Sequence, residues 1–244
     1  RRLQGPLGGL GNAHGLTVIM RYTLRLLTIQ QFQRASTLLC AMEVLRREAN
    51  TAGNRGWGAT PFRLGLWVGQ RATPNKTEEA AEALENFHGG NWQIRGTGTP
   101  AQLTNCPWCG SEIQPGRDIV VRRFNVGIGR TLLFCSEPHG VCPFAAAQAP
   151  EEGLPVVVVD EEIYRLLPAM LIATVDKFAQ LPWNAATQTL FGTVDGRCER
   201  HGFRTPELQD SDSHPSKNSL PPAKTAERAA LLPPPDLVIT AARP

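Results

Sequence analysis

PVVVVDEEIYRLLPAMLIATVDKFA, residues 155–179, holds two strand-like runs separated by a short helix-like segment. Val156 to Val159 form an unbroken β-branched run, which suits a parallel strand covered on both faces. Residues 161–167 read as a helix. Met170 to Val175 read as a second buried strand, followed by a helical turn through Lys177 and Phe178. Strand, helix and parallel strand in succession are the repeating unit of an α/β sheet.

The same alternation extends towards the N-terminus. Residues 1–16 are Gly-rich, lack an apolar period and read as a lead-in loop. They do not contain the G-x-x-x-x-G-K-[ST] pattern of a phosphate cradle. Val18-Ile19-Met20 is a short buried strand. Thr28-x-x-Gln31 has the form of a capping box. Ile29, Phe32, Ala35, Leu39, Met42 and Leu45 then recur at helical spacing as far as about Glu48. Phe62, Leu64, Leu66 and Val68 alternate with Arg63, Gly65 and Trp67, as in a strand. Asn75-x-x-Glu78 opens a helix over 78–87, stopped by Gly89-Gly90. Beyond residue 179, the stretch 185–203 is irregular. Residues 204–235, rich in Ser, Pro, Asp and Lys, read as a flexible linker. Asp236 to Thr240 is a last strand-like run, within a terminal segment of 236–244. No internal repeat is visible.

Between these sheet elements lies CPWCG, then a basic β-leaning segment, then FCSEPHGVCPF. Cys106 and Cys109 have the C-x-x-C spacing that lets two thiolates reach one metal from a tight turn, with Pro107 and Gly110 supplying turn chemistry. Cys135 and Cys142 form a looser pair, bent by Pro138 and Gly140. Two such knuckles joined by a hairpin make a four-cysteine zinc ribbon around a structural Zn²⁺. Residues 118–123 and 131–134 are the expected hairpin strands, with Gly127 and Gly129 at the tip. Disulfides and unrelated buried thiols are the competing readings. Six cysteines in 244 residues are few for a secreted disulfide scaffold. Cys40 sits in the helical pattern as a core residue. Cys198 and His201 offer two ligand types without partners. The expected organisation is therefore sheet elements at 17–104, a ribbon insertion at 105–145 and further sheet elements at 153–203.

The formal charge is +3 and 41% of residues are hydrophobic, values ordinary for a globular chain with a real core. No signal peptide or long apolar segment occurs, so a cytoplasmic protein without a membrane partner is expected. The chain opens on Arg1 and closes on a Pro-rich segment, which reads as a piece of a longer protein. Arginines cluster at Arg21, Arg25, Arg34, Arg46 and Arg47, and again at Arg117, Arg122, Arg123 and Arg130. Such clusters are a nucleic-acid footprint or a solvated basic surface.

Two patterns bear on chemistry. Asp160-Glu161 at a strand end could present carboxylates to Mg²⁺, or Asp160 could cap the next helix with Glu161 and Glu162 in its first turn. The helix reading is preferred because no phosphate cradle accompanies the carboxylates. Arg21, Thr23, Arg25 and Thr28 follow the first strand, and Thr174, Asp176 and Lys177 follow another. Polar groups at the carboxyl edge of a parallel sheet commonly face ligands, and Arg and Thr suit phosphate oxygens.

Residues 17–35, 61–69, 158–168, 170–183 and 197–203, with CPWCG and FCSEPHGVCPF, resemble the helicase of DISARM-type bacterial anti-phage defence systems, a superfamily 2 helicase. The resemblance implies an incomplete RecA-like first lobe with a cysteine-rich insertion. It implies that residues 17–31 correspond to backbone-contacting motif Ia, 63–69 to motif Ib, and 173–178 to the later Thr-containing contact motif. It further implies DNA and other defence-complex subunits as partners, and ATP with Mg²⁺ as cofactors of the full-length parent only. The family's Gly-Lys-Thr loop and Asp-Glu-x-His motif have no counterpart in these residues. No catalytic residue is assigned, and the 244 residues alone are expected to be inactive as an ATPase. The alternative is a non-enzymatic zinc-ribbon module that binds nucleic acid or a partner protein, using the ribbon arginines and Trp108.

Overall fold

The valine run that opens the decisive stretch is an edge of the sheet, and its neighbour in space lies about 90 residues earlier in the chain. The structure, a computed structural model, describes residues 14–23, 25–88, 98–125, 128–198, 200–205, 207–208, 213–214, 223–226 and 232–240. In chain order the elements are β1 (Val18–Tyr22), α1 (Arg25–Thr51), β2 (Leu64–Trp67), α2 (Thr77–His88), the single turn α3 (Pro115–Asp118), β3 (Ile119–Asn125) and β4 (Ile128–Leu133). They continue as β5 (Val156–Val157), α4 (Asp160–Leu166), β6 (Met170–Thr174), α5 (Val175–Ala179), β7 (Gly196–Cys198), β8 (Gly202–Arg204), β9 (Ser213–His214), β10 (Ala223–Ala226) and β11 (Leu237–Thr240). The main sheet has the order β11-β1-β6-β2-β5, and every pairing in it is parallel.

The continuous apolar strands follow from burial on both faces. Leu64, Leu66, Val156 and Ile172 point to one face, where Phe32, Leu39 and Cys40 of α1 pack together with Leu133, Cys135 and Phe144 of the cysteine-rich insertion. Trp67, Val157, Leu171 and Ala173 point to the other, against Ile163 and Tyr164 of α4, Leu190 and Phe203. All four residues of β2 are buried, and the alternation read in sequence sends Leu64 and Leu66 to one apolar face and Trp67 to the other. Gly65 is needed for space: a Cβ there would lie 2.6 Å from Leu171 Cδ1 and 2.8 Å from Pro168 Cγ.

Helix α1 begins at Arg25, three residues before the expected cap. Thr28 is therefore inside the helix, fully buried. The buried face runs Thr28, Phe32, Ser36, Leu39, Cys40, Glu43 and Arg46, rotated from the apolar stripe read in sequence, and Leu45 is 52% exposed. The cause is a buried ion pair. Arg46 donates to both carboxylate oxygens of Glu43 at 2.7 Å, and Glu43 also accepts from the Phe62 backbone N–H at 3.0 Å. Paired charges can occupy a core face that periodicity reserves for apolar side chains.

Other boundaries shift as well. The hairpin β3–β4 is longer than expected, with Gly129 paired to Arg123 inside the ladder; Gly127 and the Gly89-Gly90 stop lie outside the described residues. Residues Ala185–Phe191 form a 3-10 helix. The stretch read as a linker contributes β9 and β10, which join β7 and β8 in a small antiparallel sheet ordered β8-β7-β10-β9. The lead-in 1–13 lies outside the described residues. Among the described residues no helix is long and apolar enough to cross a membrane.

Candidate metal centre and nucleic-acid edge

The four cysteines converge. One Sγ from each of Cys106, Cys109, Cys135 and Cys142 lies within 4.8 Å of all the others. Cys106 and Cys142 sulfurs are 4.0 Å apart, and Cys109 and Cys135 sulfurs 3.3 Å apart. A disulfide needs about 2.05 Å. Sulfurs at about 2.3 Å from a tetrahedral zinc sit about 3.8 Å from each other, close to what is seen. The first knuckle is closed by Cys106 N–H to Ser111 O and Gly110 N–H to Cys106 O, with Gly110 at φ +81°, a region that glycine enters freely. The second is closed by Cys135 N–H to Phe144 O and Ala145 N–H to Cys142 O. Burial pushes the Cys106 thiol up to about 11 and the Cys135 and Cys142 thiols up to about 12. A divalent cation reverses that preference and holds all four as thiolates. The donor set fits a structural metal such as zinc.

The knuckle is bolted to α1. Arg47 donates to Pro143 O at 3.0 Å and stacks over the Phe144 ring at 5.1 Å, while Glu43 holds the same guanidinium at 2.9 Å. Cys40 lies in the same core cluster. Cys198 accepts a hydrogen bond from the His201 backbone N–H, and the His201 ring packs on Phe124 of β3. Among the described residues no third metal-ligating group joins them.

The DEE sequence acts as three separate fasteners. Val159, rather than Asp160, is the N-cap residue of α4, and no side-chain cap forms. The α4 N–H groups of Asp160 and Glu161 instead donate to Pro74 O and Asn75 O. Asp160 accepts from the Lys177 ammonium, which also donates to Asn75 Oδ1 at 3.2 Å. Glu161 accepts from the backbone N–H and hydroxyl of Thr77, the first residue of α2. Glu162 accepts from Arg130 at 3.1 Å and from the Thr131 N–H at 2.8 Å, which ties the hairpin to α4. Arg130 continues to Glu152 at 3.0 Å, and Glu152 to Arg63 at 2.5 Å.

This network makes stability depend on pH. Burial raises the Glu152 carboxyl, but Arg63 and Arg130 outweigh it and hold the group at about 2. Its folded value is depressed, so its contribution is complete above about pH 4.5 and is lost as pH falls towards 2. Burial pushes Asp160 up to about 6 and Glu162 up to about 7 against their cationic partners. Those two have raised folded values, so their contributions fade as pH rises through 6 to 7. Replacing Glu152 by Gln is expected to remove the acid arm. Urea unfolding at pH 7 and pH 3 should show the wild type losing roughly 2 kcal/mol more than Glu152→Gln over that interval. Equal losses would assign the acid sensitivity elsewhere.

The expected nucleic-acid residues gather at one edge. Parallel pairing sets Arg21 opposite Ala173 and Tyr22 opposite Thr174, so the carboxyl ends of β1 and β6 are neighbours. Thr23 and Asp176 are exposed. Arg21 is half-buried, with its guanidinium 5.8 Å from the Phe178 ring centre. Arg25 opens α1, but its side chain lies outside the described part. Thr28, Thr174 and Lys177 are buried. Sequence reasoning missed Arg71 and Lys76, in the loop after β2, which adjoins β6 on its other side. Arg71 carries the signal that singled out Arg21, a polar residue just beyond a buried strand, and Lys76 closes the same loop directly before α2. The hairpin arginines are differently placed: Arg122 pairs with Glu151, Arg123 with Glu85 and Arg117 with Asp118.

Comparison with known proteins places this geometry beside a named relative. No protein-family model matches the chain. It is 34% identical over 230 residues to the DISARM protein DrmA of Bacillus paralicheniformis. The match covers 92% of this chain and 19% of that relative, so the chain spans about a fifth of the curated protein it resembles. At that coverage the similarity takes in the cysteine insertion and most of the parallel sheet.

Proposed function

We propose that these residues form the strand-gripping part of the first motor lobe of an ATP-dependent superfamily 2 DNA helicase or translocase. The parent protein would act with other subunits of a bacterial anti-phage defence complex. The observation that carries the reading is the neighbouring position of three strand ends at the carboxyl edge of a fully parallel sheet. The end of β1 carries Arg21 and Thr23, the first turn of α5 directly after β6 carries Asp176, and the loop after β2 carries Arg71 and Lys76. Adjacent strands are about 4.8 Å apart, so the outer strand ends of this trio stand about 10 Å from each other, and Arg, Lys and Thr side chains suit phosphate oxygens. The similarity to DISARM protein DrmA supports the defence context. In this reading Thr174 and Lys177 shape the loops from behind: Lys177 is 4% exposed and committed to Asp160. ATP and Mg²⁺ would be cofactors of the full-length parent only.

A zinc module that binds DNA through its hairpin is the other reading. The pairing of Arg117, Arg122 and Arg123 with carboxylates favours the strand-end surface over it. Fluorescence anisotropy with a labelled single-stranded oligonucleotide separates the two. Arg21→Ala combined with Arg71→Ala is expected to weaken binding and to make log K against log salt shallower by about 0.7 per lost phosphate contact. Retained affinity and slope in that variant, with loss in Arg122→Ala/Arg123→Ala, would transfer the grip to the hairpin.

A further inference from the structure

Strand β11 stands first in the sheet order, and its side chains face water on both sides of the sheet. Leu237, Val238 and Ile239 are 49%, 53% and 38% exposed. Strands of an all-parallel sheet are ordinarily buried on both faces, which is why they are unbroken apolar runs. Here the run is present without the burial. The outer edge of β11 is open as well: among the described residues no strand pairs with it. The Leu237 N–H donates inwards to Thr17 O at 3.2 Å. Backbone groups alternate along a strand, so those of Val238 and Thr240 point outwards and can template a further strand. No Lys, Pro or bulge within Leu237–Thr240 blunts that edge.

The open surface continues onto α1. Leu237 and Ile239 lie beside Val18 and Met20, and Met20 packs into the core on the α1 side of the sheet. Val238 lies beside Ile19, which is buried on the α4 side. Helix α1 covers β6 and β2, so the floor made by β1 and β11 runs on beyond it. The contacts of α1 settle which flank borders that floor. Cys40 and Arg47 turn towards the cysteine insertion, which meets the sheet next to β5, where the Leu154 N–H donates to Leu133 O. Leu38 and Met42 are each two residues from Cys40, and Leu45 is two from Arg47. Two residues are about 160° around a helix, so these three form the opposite flank, towards β1 and β11. Leu38 is 56% exposed. Scattered exposed apolar residues are ordinary, but a set that joins a strand to a helix flank marks an interaction surface.

We propose that this edge and trough seat a further segment of the parent polypeptide, with a strand on the outer edge of β11 and an amphipathic helix between α1 and the β1–β11 floor. The chain spans 19% of its DISARM relative, so a parent of that length holds ample chain to supply both. A second copy fits less well. Two copies paired edge to edge through β11 would hold their α1 helices about 24 Å apart or more, whereas packed helices stand about 8–10 Å apart. Both troughs would stay open. The inference rests on the reading of the chain as part of a longer parent, and not on the DNA grip.

Hydrogen exchange on the 244-residue chain and on the full-length parent tests it. Peptides covering Leu237–Thr240 are expected to exchange at least about ten-fold more slowly in the parent, while the exposed Val141 of the insertion exchanges alike in both. In the 244-residue chain, Leu38→Glu/Leu237→Glu should shift Tm by no more than about 4 °C, as exposed positions allow. In the parent the same pair should return β11 to fast exchange. Equal exchange of β11 in chain and parent overturns the proposal. So does protection in the chain alone that grows with concentration, which gives the edge to a second copy. Protection in the parent only after other defence-complex subunits are added also overturns it, and gives the edge to a partner. Oligonucleotide binding reads the grip separately: its absence, with β11 protected in the parent, removes the grip and leaves this proposal standing.

Discussion

Removal of the metal by a strong chelator is expected to unfold residues 105–145 and to loosen one whole face of the sheet. The insertion has little core of its own. Ile113, Ile119, Leu133 and Phe144 are buried, but they belong to the cluster that also contains Phe32 and Leu39 of α1 and Leu64, Leu66 and Ile172 of the sheet. Four thiolates around one cation would therefore close both knuckles and seat α1. Metal-coupled folding of small zinc domains amounts to about 10–16 kcal/mol at neutral pH, comparable to the whole stability of an ordinary domain. Elemental analysis of the purified protein should find about one zinc per chain. Hydrogen exchange after chelation should accelerate in 105–145 and in the half of α1 that holds Arg47, with the α4 side of the sheet changing less. Cys106→Ser/Cys142→Ser should behave like the chelated protein. Stoichiometric absence of metal, together with full protection of 105–145, would refute the centre.

The second large effect is expected from Lys177→Ala. The ammonium lies 4% exposed against an equally buried Asp160, and it also holds Asn75 at the end of the loop into α2. Deleting it leaves a carboxylate in the interior without a counter-charge, which costs about 3–5 kcal/mol. For a domain of this size that lowers Tm by roughly 6–20 °C. The paired replacement Asp160→Asn/Lys177→Met removes both charges and should recover most of the loss. The pH dependence provides a second signature. Burial already raises the Asp160 carboxyl to about 6 with Lys177 present. In Lys177→Ala the proton is held more tightly, so the deficit should be smaller at pH 5 than at pH 8. Equal melting of Lys177→Ala and wild type across that range would mean that the pair is open in solution. A loss of DNA affinity in this variant, if it comes with the fall in Tm, belongs to loop collapse and not to a lost phosphate contact.

Much of the frame was legible because its determinants are local. Val18-Ile19-Met20, Phe62 to Val68, Val156 to Val159 and Met170 to Thr174 are apolar runs of strand length, and runs of that kind require cover on both faces. Cys106-x-x-Cys109 with Cys135 and Cys142 fixes a donor set by spacing and residue type alone. The carboxyl-edge candidates were partly legible. Arg21, Thr23 and Asp176 lie where strand ends predict, and Arg71 and Lys76 escaped notice, although Arg71 satisfies the same rule. Exposure separated them from Thr174 and Lys177, and exposure is a property of the packed molecule.

The misplacements share a cause. The stripe on α1 came out rotated because Glu43 and Arg46 neutralise each other, so a polar pair took core positions. The Asp160-Glu161-Glu162 cluster resolved into contacts with Lys177, Thr77 and Arg130, which lie 17, 84 and 32 residues away. Strands β9 and β10 occupy a segment whose composition reads as linker, because backbone pairing to β7 does not require an apolar sequence. By itself, then, the sequence determined a parallel α/β sheet and a four-cysteine insertion, since apolar run length and cysteine spacing act over a few residues. The tertiary structure alone decided which charges are buried in pairs and which face water, because a charge is stable inside only when a distant segment brings its partner within hydrogen-bond reach.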